Sequence, residues 1–219
     1  MKTTIKILST LALAATLTTA CNCEKQVAGR WSEEKANAWY AERDWPVGCD
    51  YVPAYAGNQI QMWQSSTWNP AEIDKELGWA EELGFNSVRI FLHDKVWSAD
   101  RDAFFAHIEE FLKIADSHGI SSLVTLFTNG GSRDRSVDED IAPIPGIHNS
   151  IWAQTPGIET VNDPSQWGWV KEYEQDVLRH FKDDSRIIAW CLYNEPENVP
   201  ACHTYPLLKK VFEWAREIN

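Results

Sequence analysis

The sequence of 219 residues is poor in positive charge and in long apolar runs. Its 20 lysine and arginine residues are outnumbered by 32 aspartate and glutamate residues, which gives a formal net charge of −12. Nucleic-acid binding depends on basic side chains that neutralise phosphates, so this balance argues against a nucleic-acid partner. The hydrophobic fraction of 44% and the charged fraction of 24% are typical of a globular protein and exclude a multi-span membrane protein.

Sequence motifs for nucleotides and for zinc are also missing. No glycine-rich fingerprint follows the first strand-like segment, no GxxxxGK[ST] occurs, and the five cysteines form no zinc-binding spacing. Cys49 and Cys191 lie in strand-like apolar runs and are expected to behave as small buried hydrophobes. Cys202 lies in a predicted loop and could form a disulfide, but the sequence indicates no partner for it.

Tryptophan, by contrast, is abundant, with 12 residues in the chain. Its flat apolar face and single N–H donor suit stacking on sugar rings as well as packing in a core. A neutral ligand is also easier to reconcile with the acidic balance than a polyanion. The composition therefore favours a globular protein whose substrate is neutral.

The first 20 residues have the pattern of an export signal. Two lysines precede an apolar run over residues 7–17, which is too short to span a bilayer. The following Thr-Thr-Ala-Cys predicts lipoprotein processing, with Cys21 as the acylated first residue. The alternative is plain secretion with cleavage after Ala20.

Export determines the expected organisation and location of the chain. Residues 21–31 are interpreted as a tether behind the lipidated cysteine, and residues 32–219 as the folded domain. The protein is then expected in the bacterial cell envelope, in the periplasm or at the outer membrane, with a lipid anchor as its only membrane contact.

Strand-like and helix-like segments alternate along the rest of the chain. Strands are predicted over residues 47–52, 85–92, 120–127 and 187–193. Helices are predicted over residues 33–42, 70–83, 99–117, 164–181 and 206–218. Ser32, Asn69 and Ser98 are the predicted N-caps, and Asn69 is followed by Pro70 and by Glu72 in a capping-box arrangement. The fourth strand is a near-continuous apolar run, as expected when both faces are covered.

This alternation predicts an α/β fold with a parallel sheet and right-handed crossovers. An open doubly wound sheet and a (β/α)8 barrel both fit the alternation. Polar and aromatic residues gather after the strand ends, where a barrel has its active site. These residues are Asn58, Trp63, His93, Asp94, His148, Trp152, Asn194 and Glu195.

The most informative motif is Tyr-Asn-Glu-Pro-Glu-Asn over residues 193–198, directly after the fourth strand. A partly desolvated carboxylic acid at that position, Glu195, can act as a proton donor near neutral pH. Asn194 can hydrogen-bond a hydroxyl group of a bound sugar and orient it. The alternative is that Asn194 and Glu195 only cap the next helix.

This segment resembles the acid/base motif of the clan of retaining glycoside hydrolases with (β/α)8 barrels. The resemblance is nearest to family 5-like cellulases, mannanases and xylanases, and it covers residues 45–198. Tyr193 takes the place of the aromatic residue that precedes the motif, and Arg89 matches the arginine beneath the catalytic carboxylates. The resemblance implies a (β/α)8 TIM barrel, present here as an incomplete barrel covering about strands one to four.

The resemblance also implies a mechanism without metal or cofactor. Glu195 would protonate the glycosidic oxygen and then act as base toward water, while a second carboxylate attacks the anomeric carbon about 5–5.5 Å away. Family members carry that nucleophile after strand seven, and Glu197, Glu213 and Glu217 are not placed for this role. The expectation is therefore the N-terminal half of a glycosidase, unstable and inactive alone. The alternative is a half barrel that dimerises.

Several residues are predicted to contact the sugar, namely Arg89, His93, Asn58, Trp63, Trp152 and Tyr193. Trp97 also follows a strand, and each of the strand-end tryptophans could instead pack in the core. His93 could form a hydrogen bond in the site or only cap a turn, and Arg89 could also stabilise the barrel through a salt bridge. Family members often carry a histidine after strand three, where this sequence has Phe-Thr-Asn-Gly-Gly.

Residues 128–162 form a long predicted loop of two parts. Its charged part, 133–140, lacks the spacing of a calcium loop and is expected to be solvated surface. Its second part, with Trp152, is expected to form a wall of the substrate cleft.

The predicted function is cleavage of a neutral β-linked plant polysaccharide or oligosaccharide with retention of configuration. Xylan, mannan and cellulose are not distinguished by this sequence. One alternative is a non-catalytic carbohydrate-binding lipoprotein that keeps the cleft aromatics. Another is an unrelated α/β enzyme in which Asn194 and Glu195 form a helix cap.

Overall fold

Four parallel strands form one sheet in the computed structural model of the chain, which describes residues 30–218. The strands are β1 (Gly48–Asp50), β2 (Ser87–Phe91), β3 (Ser121–Thr128) and β4 (Ile187–Asn194), and they lie in that order. Each strand pairs in parallel with the next one along the chain. The four predicted strands are thus present, with ends that differ by a few residues. The predicted export signal and Cys21 lie outside the described residues.

One helix precedes β1 in the chain, one follows β4, and the others lie between the strands. The helices are α1 (Glu33–Ala41), α2 (Gln59–Trp63), α3 (Pro70–Glu82), α4 (Asp94–Ala99), α5 (Arg101–Ser117), α6 (Ile158–Asn162), α7 (Trp167–Phe181) and α8 (Tyr205–Arg216). The short helices α2, α4 and α6 lie in segments that the sequence predicted as loops. Among residues 30–218, no helix is both long enough and apolar enough to cross a bilayer.

The chain divides into two units, Met1–Glu42 and Arg43–Asn219. The first unit contains α1, which begins where Ser32 accepts a hydrogen bond from the backbone N–H of Lys35 at 3.2 Å. In the same unit the ring centroids of Trp31 and Trp39 are 6.2 Å apart, and Lys35 Nζ lies 4.3 Å from the Trp31 ring. The predicted cap at Ser32 is therefore confirmed.

In the second unit α2, α3, α4 and α5 begin at a residue whose side chain caps the helix, and the cap of α5 differs from the prediction. Asn69 accepts from the backbone N–H of Glu72 at 3.2 Å and is followed by Pro70, as the capping box predicted. The cap of α5 is Asp100, which accepts from the N–H of Ala103 at 3.0 Å. Ser98 was the predicted cap, but it lies inside the additional helix α4 and donates to the carbonyl of Lys95.

The core lies between the helices and one face of the sheet. Phe104, Ile108 and Phe111 of α5 are fully buried, and Val88 and Ile90 of β2 are buried as well. Alternation along a strand directs Arg89, between these two, to the other face of the sheet. That face is incompletely covered, and we call it the half-buried face: β1 is exposed, and Arg89 of β2 and Cys191 of β4 are half-exposed. The expectation that β4 is covered on both faces is therefore wrong for the described residues.

The cysteines differ from the prediction at one position. Cys49 is exposed because β1 is exposed along its length, so it is not the buried hydrophobe that was expected. Cys191 is half-buried and Cys202 is buried, and all three thiols are free. Burial raises the pKa of the Cys202 thiol, which keeps it protonated at neutral pH.

Candidate functional site

The candidate site is at the carboxyl-terminal ends of the strands, where Arg89 holds Asn194. A guanidinium N–H of Arg89 donates to Oδ1 of Asn194 at 2.7 Å, and the Asn194 amide N–H donates to Oγ1 of Thr128 at 3.1 Å. Arg89 reaches Asn194 across the sheet from β2 and also donates to Oγ1 of Thr125 at 3.0 Å. These bonds fix the orientation of the Asn194 side chain and leave one of its two amide N–H groups available.

Arg89 makes three further contacts on the half-buried face of the sheet. Its guanidinium donates to Sγ of Cys191 at 3.3 Å and lies 4.7 Å from the ring centroid of Phe91. Its other terminal nitrogen is 3.7 Å from a carboxylate oxygen of Asp50 at the end of β1. Arg89 therefore contacts Asn194 of the motif and lies beside Asp50, while its predicted role beneath a pair of catalytic carboxylates stays a prediction.

Glu195 follows directly and has an unusual backbone conformation. Its φ of 51° lies in the left-handed region, as does the φ of 64° at Glu197, and such conformations are uncommon for a side chain of this size. Backbone conformations of this kind concentrate at functional sites. The carboxylate of Glu195 accepts a hydrogen bond from Asn198 at 2.9 Å. The expected partial desolvation is missing in the described residues, because Glu195 is exposed.

The helix-cap alternative for Asn194 and Glu195 does not agree with the structure. The next helix, α8, begins at Tyr205, and the backbone N–H of Tyr205 donates to Glu197 and not to Asn194 or Glu195. Oε1 of Glu197 accepts from the backbone N–H of Tyr205 at 2.7 Å and from Oγ1 of Thr204 at 3.1 Å. Asn194 and Glu195 are therefore not used as caps.

The three glutamates after Glu195 are hydrogen-bonded or ion-paired to other residues, and the missing nucleophile stays a prediction. Glu197 is held at the start of α8, and Glu213 pairs with Lys210 at 2.6 Å on the surface of the same helix. Glu217 pairs with Lys171 of α7 at 2.7 Å. Each of these three carboxylates thus has a partner other than a ligand in the described part of the chain.

Trp152 lies beside the half-buried face of the sheet, near Arg89. Its ring packs edge-on against Phe91, with centroids 5.2 Å apart, and the residue is only partly buried. The side chain thus combines a fixed position with an accessible surface.

The buried carboxylate of Asp94 anchors the loop that carries Trp152. The sequence identifies Asp94 only as a polar residue that follows a strand. Asp94 accepts two hydrogen bonds from Arg133, at 2.7 and 2.8 Å, and one from Thr155 at 2.5 Å. Lys95 adds hydrogen bonds to the carbonyls of Arg133, at 2.6 Å, and of Arg135. The charged run was expected to be solvated, but Arg133 and Arg135 are hydrogen-bonded to the segment just after β2.

The pKa values of Asp94 and His93 depend on their burial and, for Asp94, on Arg133. Burial alone would raise the pKa of Asp94, but hydrogen bonds and charge from Arg133 hold it below its usual value. Burial lowers the pKa of His93 to about 4, so the imidazole is neutral at physiological pH. Nδ1 of His93 accepts from the N–H of Lys95 at 3.2 Å and caps α4. Of the two predicted roles, His93 has the capping role, and at 1% exposure it does not reach a ligand.

Two other predicted sugar contacts are structural instead. Trp63 is fully buried, and its indole N–H donates to the carbonyl of Phe91 at 2.7 Å. Asn58 is 2% exposed, caps α2 by accepting from Gln61, and donates to the carbonyl of Ile151 at 2.9 Å. A sugar needs an accessible surface, so these placements correct the expectation for both residues.

The remaining aromatic candidates are also packed against neighbouring side chains. Tyr193 is 7% exposed and its ring lies 5.8 Å from that of Phe127, which itself packs on Tyr173 of α7. Burial raises the pKa of Tyr193 well above its usual value. Trp97 packs on Tyr173 and donates to Asp176 at 2.7 Å, so it lies against α7 and not in a cleft. Trp152 is thus the predicted tryptophan that keeps an accessible position next to the motif.

The contrast between Trp63 and Trp152 gives a prediction. We expect Trp63→Phe to lower the free energy of unfolding by about 1–3 kcal/mol, because the carbonyl of Phe91 loses its donor in a buried position. Trp152→Phe should leave stability within about 0.5 kcal/mol of the parent, since no described hydrogen bond is lost. Urea unfolding of both variants measures the difference, and equal losses would contradict the assignment of Trp63 to the core.

Comparisons with known proteins support the fold. No protein-family model and no curated protein matches the chain, but solved structures do. The exo-β-1,4-mannosidase Op5Man5 from Opitutaceae bacterium strain TAV5 matches with a TM-score of 0.60 and 22% identity, over 79% of this chain and 30% of its own length. A GH5_18 variant from Streptomyces cattleya in complex with Manβ1-4GlcNAc matches with a TM-score of 0.51 and 14% identity, over 78% of this chain.

The chain spans less than half of each of these two structures, 30% of the mannosidase and 42% of the GH5_18 variant. At these identities the similarity concerns the fold. The four-stranded parallel sheet with its helices is similar in fold to part of these glycoside hydrolases. The predicted resemblance to family 5-like enzymes is thus confirmed at the level of the fold, and the incomplete (β/α)8 barrel stays a prediction.

Proposed function

We propose that this chain carries the acid/base part of the active site of a retaining β-glycosidase. The observation that carries the proposal is the Asn194 side chain, which Arg89 and Thr128 hold beside Glu195 at the end of β4. In parallel sheets with helical crossovers, this edge is where catalytic residues are found. A glycoside hydrolase-like fold is consistent with such a site.

Each residue of the site has a chemical role in this proposal. Glu195 protonates the glycosidic oxygen of the substrate and later removes a proton from the attacking water. The free amide N–H of Asn194 donates to a sugar hydroxyl, and Trp152 supplies an apolar wall against which the ring stacks. The carboxylate that attacks the anomeric carbon is not assigned to any residue in 30–218.

The proposed substrates are neutral β-linked oligosaccharides and polysaccharides of plant origin. The matched structures include a protein named as a β-1,4-mannosidase and one bound to Manβ1-4GlcNAc. β-1,4-Linked mannosides are therefore the first substrates to test, before xylo- and cello-oligosaccharides. Export and acylation at Cys21 would place the enzyme in the cell envelope, where such saccharides arrive from outside.

A second candidate function is a carbohydrate-binding lipoprotein without turnover. The exposure of Glu195 and the engagement of Glu197, Glu213 and Glu217 favour this alternative. The two functions make opposite predictions for substitutions at Glu195. A binding protein keeps its affinity for the sugar and has no turnover to lose.

The test is azide rescue in the product of the complete reading frame that contains codons 1–219. We expect Glu195→Ala to lower turnover of a β-1,4-mannobioside by about 10²–10⁴, because the leaving group is no longer protonated. With an activated aryl β-glycoside, added azide should restore turnover, since azide attacks without losing a proton. The product should be the glycosyl azide with retained configuration, identified by NMR.

Glu197→Gln is the matched control, because its amide oxygen still accepts the hydrogen bond of Tyr205. Turnover in this control should stay within a few-fold of the parent. A glycosyl azide of inverted configuration would make Glu195 the nucleophile and overturn the assignment. Unchanged turnover in Glu195→Ala would overturn it too, and saccharide binding without turnover in the parent would favour the binding protein.

A further inference from the structure

A cavity of about 370 Å³ lies between α2, α4, α5 and the loop that follows β3. The residues assigned to the candidate site, Arg89, Trp152, Asn194 and Glu195, do not line it. Its volume is within the range of about 300–1,000 Å³ that is typical of small-molecule sites. The cavity is therefore a separate space with room for a small ligand.

The lining of the cavity combines apolar and polar side chains. Val96, Phe104 and Val137 contribute apolar surface, and Gln64, Asp100 and Asp138 contribute polar groups. The lining includes no lysine, arginine or histidine, so an anionic ligand would meet two carboxylates without a compensating positive charge. A neutral or a positively charged ligand remains.

The Gln64 side chain has an amide nitrogen without a partner. Gln64 is 3% exposed, and its Oε1 accepts from the backbone N–H of Asp138 at 2.8 Å, which identifies the oxygen end of the amide. Its Nε2 makes no hydrogen bond with any residue in 30–218, yet this atom keeps some accessible surface. Buried N–H groups are usually hydrogen-bonded, so a ligand in this cavity needs an acceptor for Gln64.

The two carboxylates of the cavity need donors. Oδ1 of Asp100 accepts from the backbone N–H of Ala103 at 3.0 Å, and Oδ1 of Asp138 accepts from the hydroxyl group of Ser66. The second oxygen of each carboxylate has no partner in the described part of the chain. A ligand that fits the cavity therefore both donates and accepts hydrogen bonds.

This requirement selects the chemical class of the ligand. A cation such as an ammonium group only donates, so it would leave the N–H of Gln64 without an acceptor. An apolar ligand would leave the amide and both carboxylates without partners. Hydroxyl groups donate and accept, and a ring that carries several of them also has C–H surface for the side chains of Val96 and Phe104.

We propose that the cavity binds one ring of a neutral saccharide, as a second contact for a polysaccharide substrate. The inference rests on the proposed function for the nature of that substrate, but not on hydrolysis at Glu195. Because α2 follows β1, α4 follows β2 and Asp138 follows β3, the cavity lies at the same edge of the sheet as Glu195. A saccharide chain long enough to reach both places would be held at two points, which raises its apparent affinity over that of a short oligosaccharide.

Methyl NMR spectra of the complete reading-frame product test the proposal, with β-1,4-mannobiose as the probe and xylobiose and cellobiose in parallel. We expect the resonances of Val96 and Val137 to shift during titration, because both side chains line the cavity. Ala103→Leu should weaken this binding about tenfold or more, since the added group takes up space that the ring needs. Ala106→Leu is the matched control and should bind like the parent, because Ala106 is exposed on the same helix and does not line the cavity.

Three results would overturn the proposal. The first is that none of the three disaccharides shifts the valine resonances, and the second is equal binding by the parent and Ala103→Leu. The third is a larger shift with ammonium chloride that is lost in Asp138→Asn, which would make a cation the ligand. Ala99→Leu fills the cavity from α4 and replaces Ala103→Leu if circular dichroism shows that the latter does not fold.

The two proposals have separate outcomes, because these spectra do not depend on turnover. Shifted valine resonances in a protein without turnover would contradict only the proposed hydrolysis. Turnover without those shifts would contradict only the saccharide site in the cavity.

Discussion

Replacing Glu174 with glutamine is expected to stabilise the protein, and the gain should increase with pH. Glu174 on α7 is fully buried, and neither of its carboxyl oxygens has a hydrogen-bond partner within residues 30–218. Burial, and then the neighbouring charge of Glu217, raise its pKa from 4.5 to about 9, while Lys171 partly opposes this. The carboxyl group is therefore protonated in the folded state at neutral pH.

The direction of the pH dependence follows from linkage. The unfolded chain releases this proton near pH 4.5, whereas the folded chain keeps it up to about pH 9. Between these values unfolding releases a proton, so the parent loses about 1.4 kcal/mol of stability per pH unit from this group. Glu174→Gln lacks that loss, and its advantage should grow by about 3 kcal/mol from pH 4.5 to pH 7.

Urea unfolding from pH 4.5 to 9 measures this difference directly. Glu213→Gln is the control, because this carboxylate is exposed on α8 and its pair with Lys210 is at the surface. The control should follow the parent across the whole range. Parallel stability curves for the parent and Glu174→Gln would show that Glu174 is not buried as described.

Replacing Asp94 with alanine is expected to have the second large effect, a loss of about 3 kcal/mol in the free energy of unfolding. Asp94 is 4% exposed and accepts the paired hydrogen bonds of Arg133 and that of Thr155. Removing the carboxylate leaves the partly buried guanidinium without its partner, which costs more than the ion pair itself contributes. Limited proteolysis should then cut the loop around Trp152 faster.

A double-mutant cycle with Arg133→Ala isolates the pair. Arg133→Ala together with Asp94→Ala should cost clearly less than the sum of the two single substitutions. In Asp94→Asn the loss should be full at neutral pH and shrink as pH falls below about 3.8, since the low pKa of Asp94 stabilises only the ionised form. Asp134→Asn, at an exposed neighbour, is the control, and additive single effects would contradict the proposed anchor.

Local chemistry explains why parts of the fold were predictable. Ser32 and Asn69 cap helices because a short polar side chain reaches the free N–H groups of the next turn, wherever the helix packs. The alternation of strand-like and helix-like segments likewise predicts a parallel sheet, however its two faces are covered. The position of Glu195 directly after β4 follows from chain order, so the sequence determined it.

Side-chain environments were not predictable, because they depend on segments distant in the chain. Trp63 and Trp152 both follow strands, yet one packs in the core and the other remains accessible beside Phe91. The buried position of Asp94 arises because a segment about 40 residues later brings Arg133 to it. Neither the hydrophobic periodicity nor the motif spacing of the sequence indicates that these two segments will be in contact.

By itself, the sequence determined the order of strands and helices, the helix caps, and a motif that places Glu195 at a strand end. The tertiary structure alone decided which aromatic residues stay accessible, that Arg89 orients Asn194, and that the charged run is bonded to Asp94. The physical reason is the sequence separation of the interacting residues. Helix caps and strand patterns depend on neighbours within a few residues, whereas burial and ion pairing depend on which distant segments the folded chain brings together.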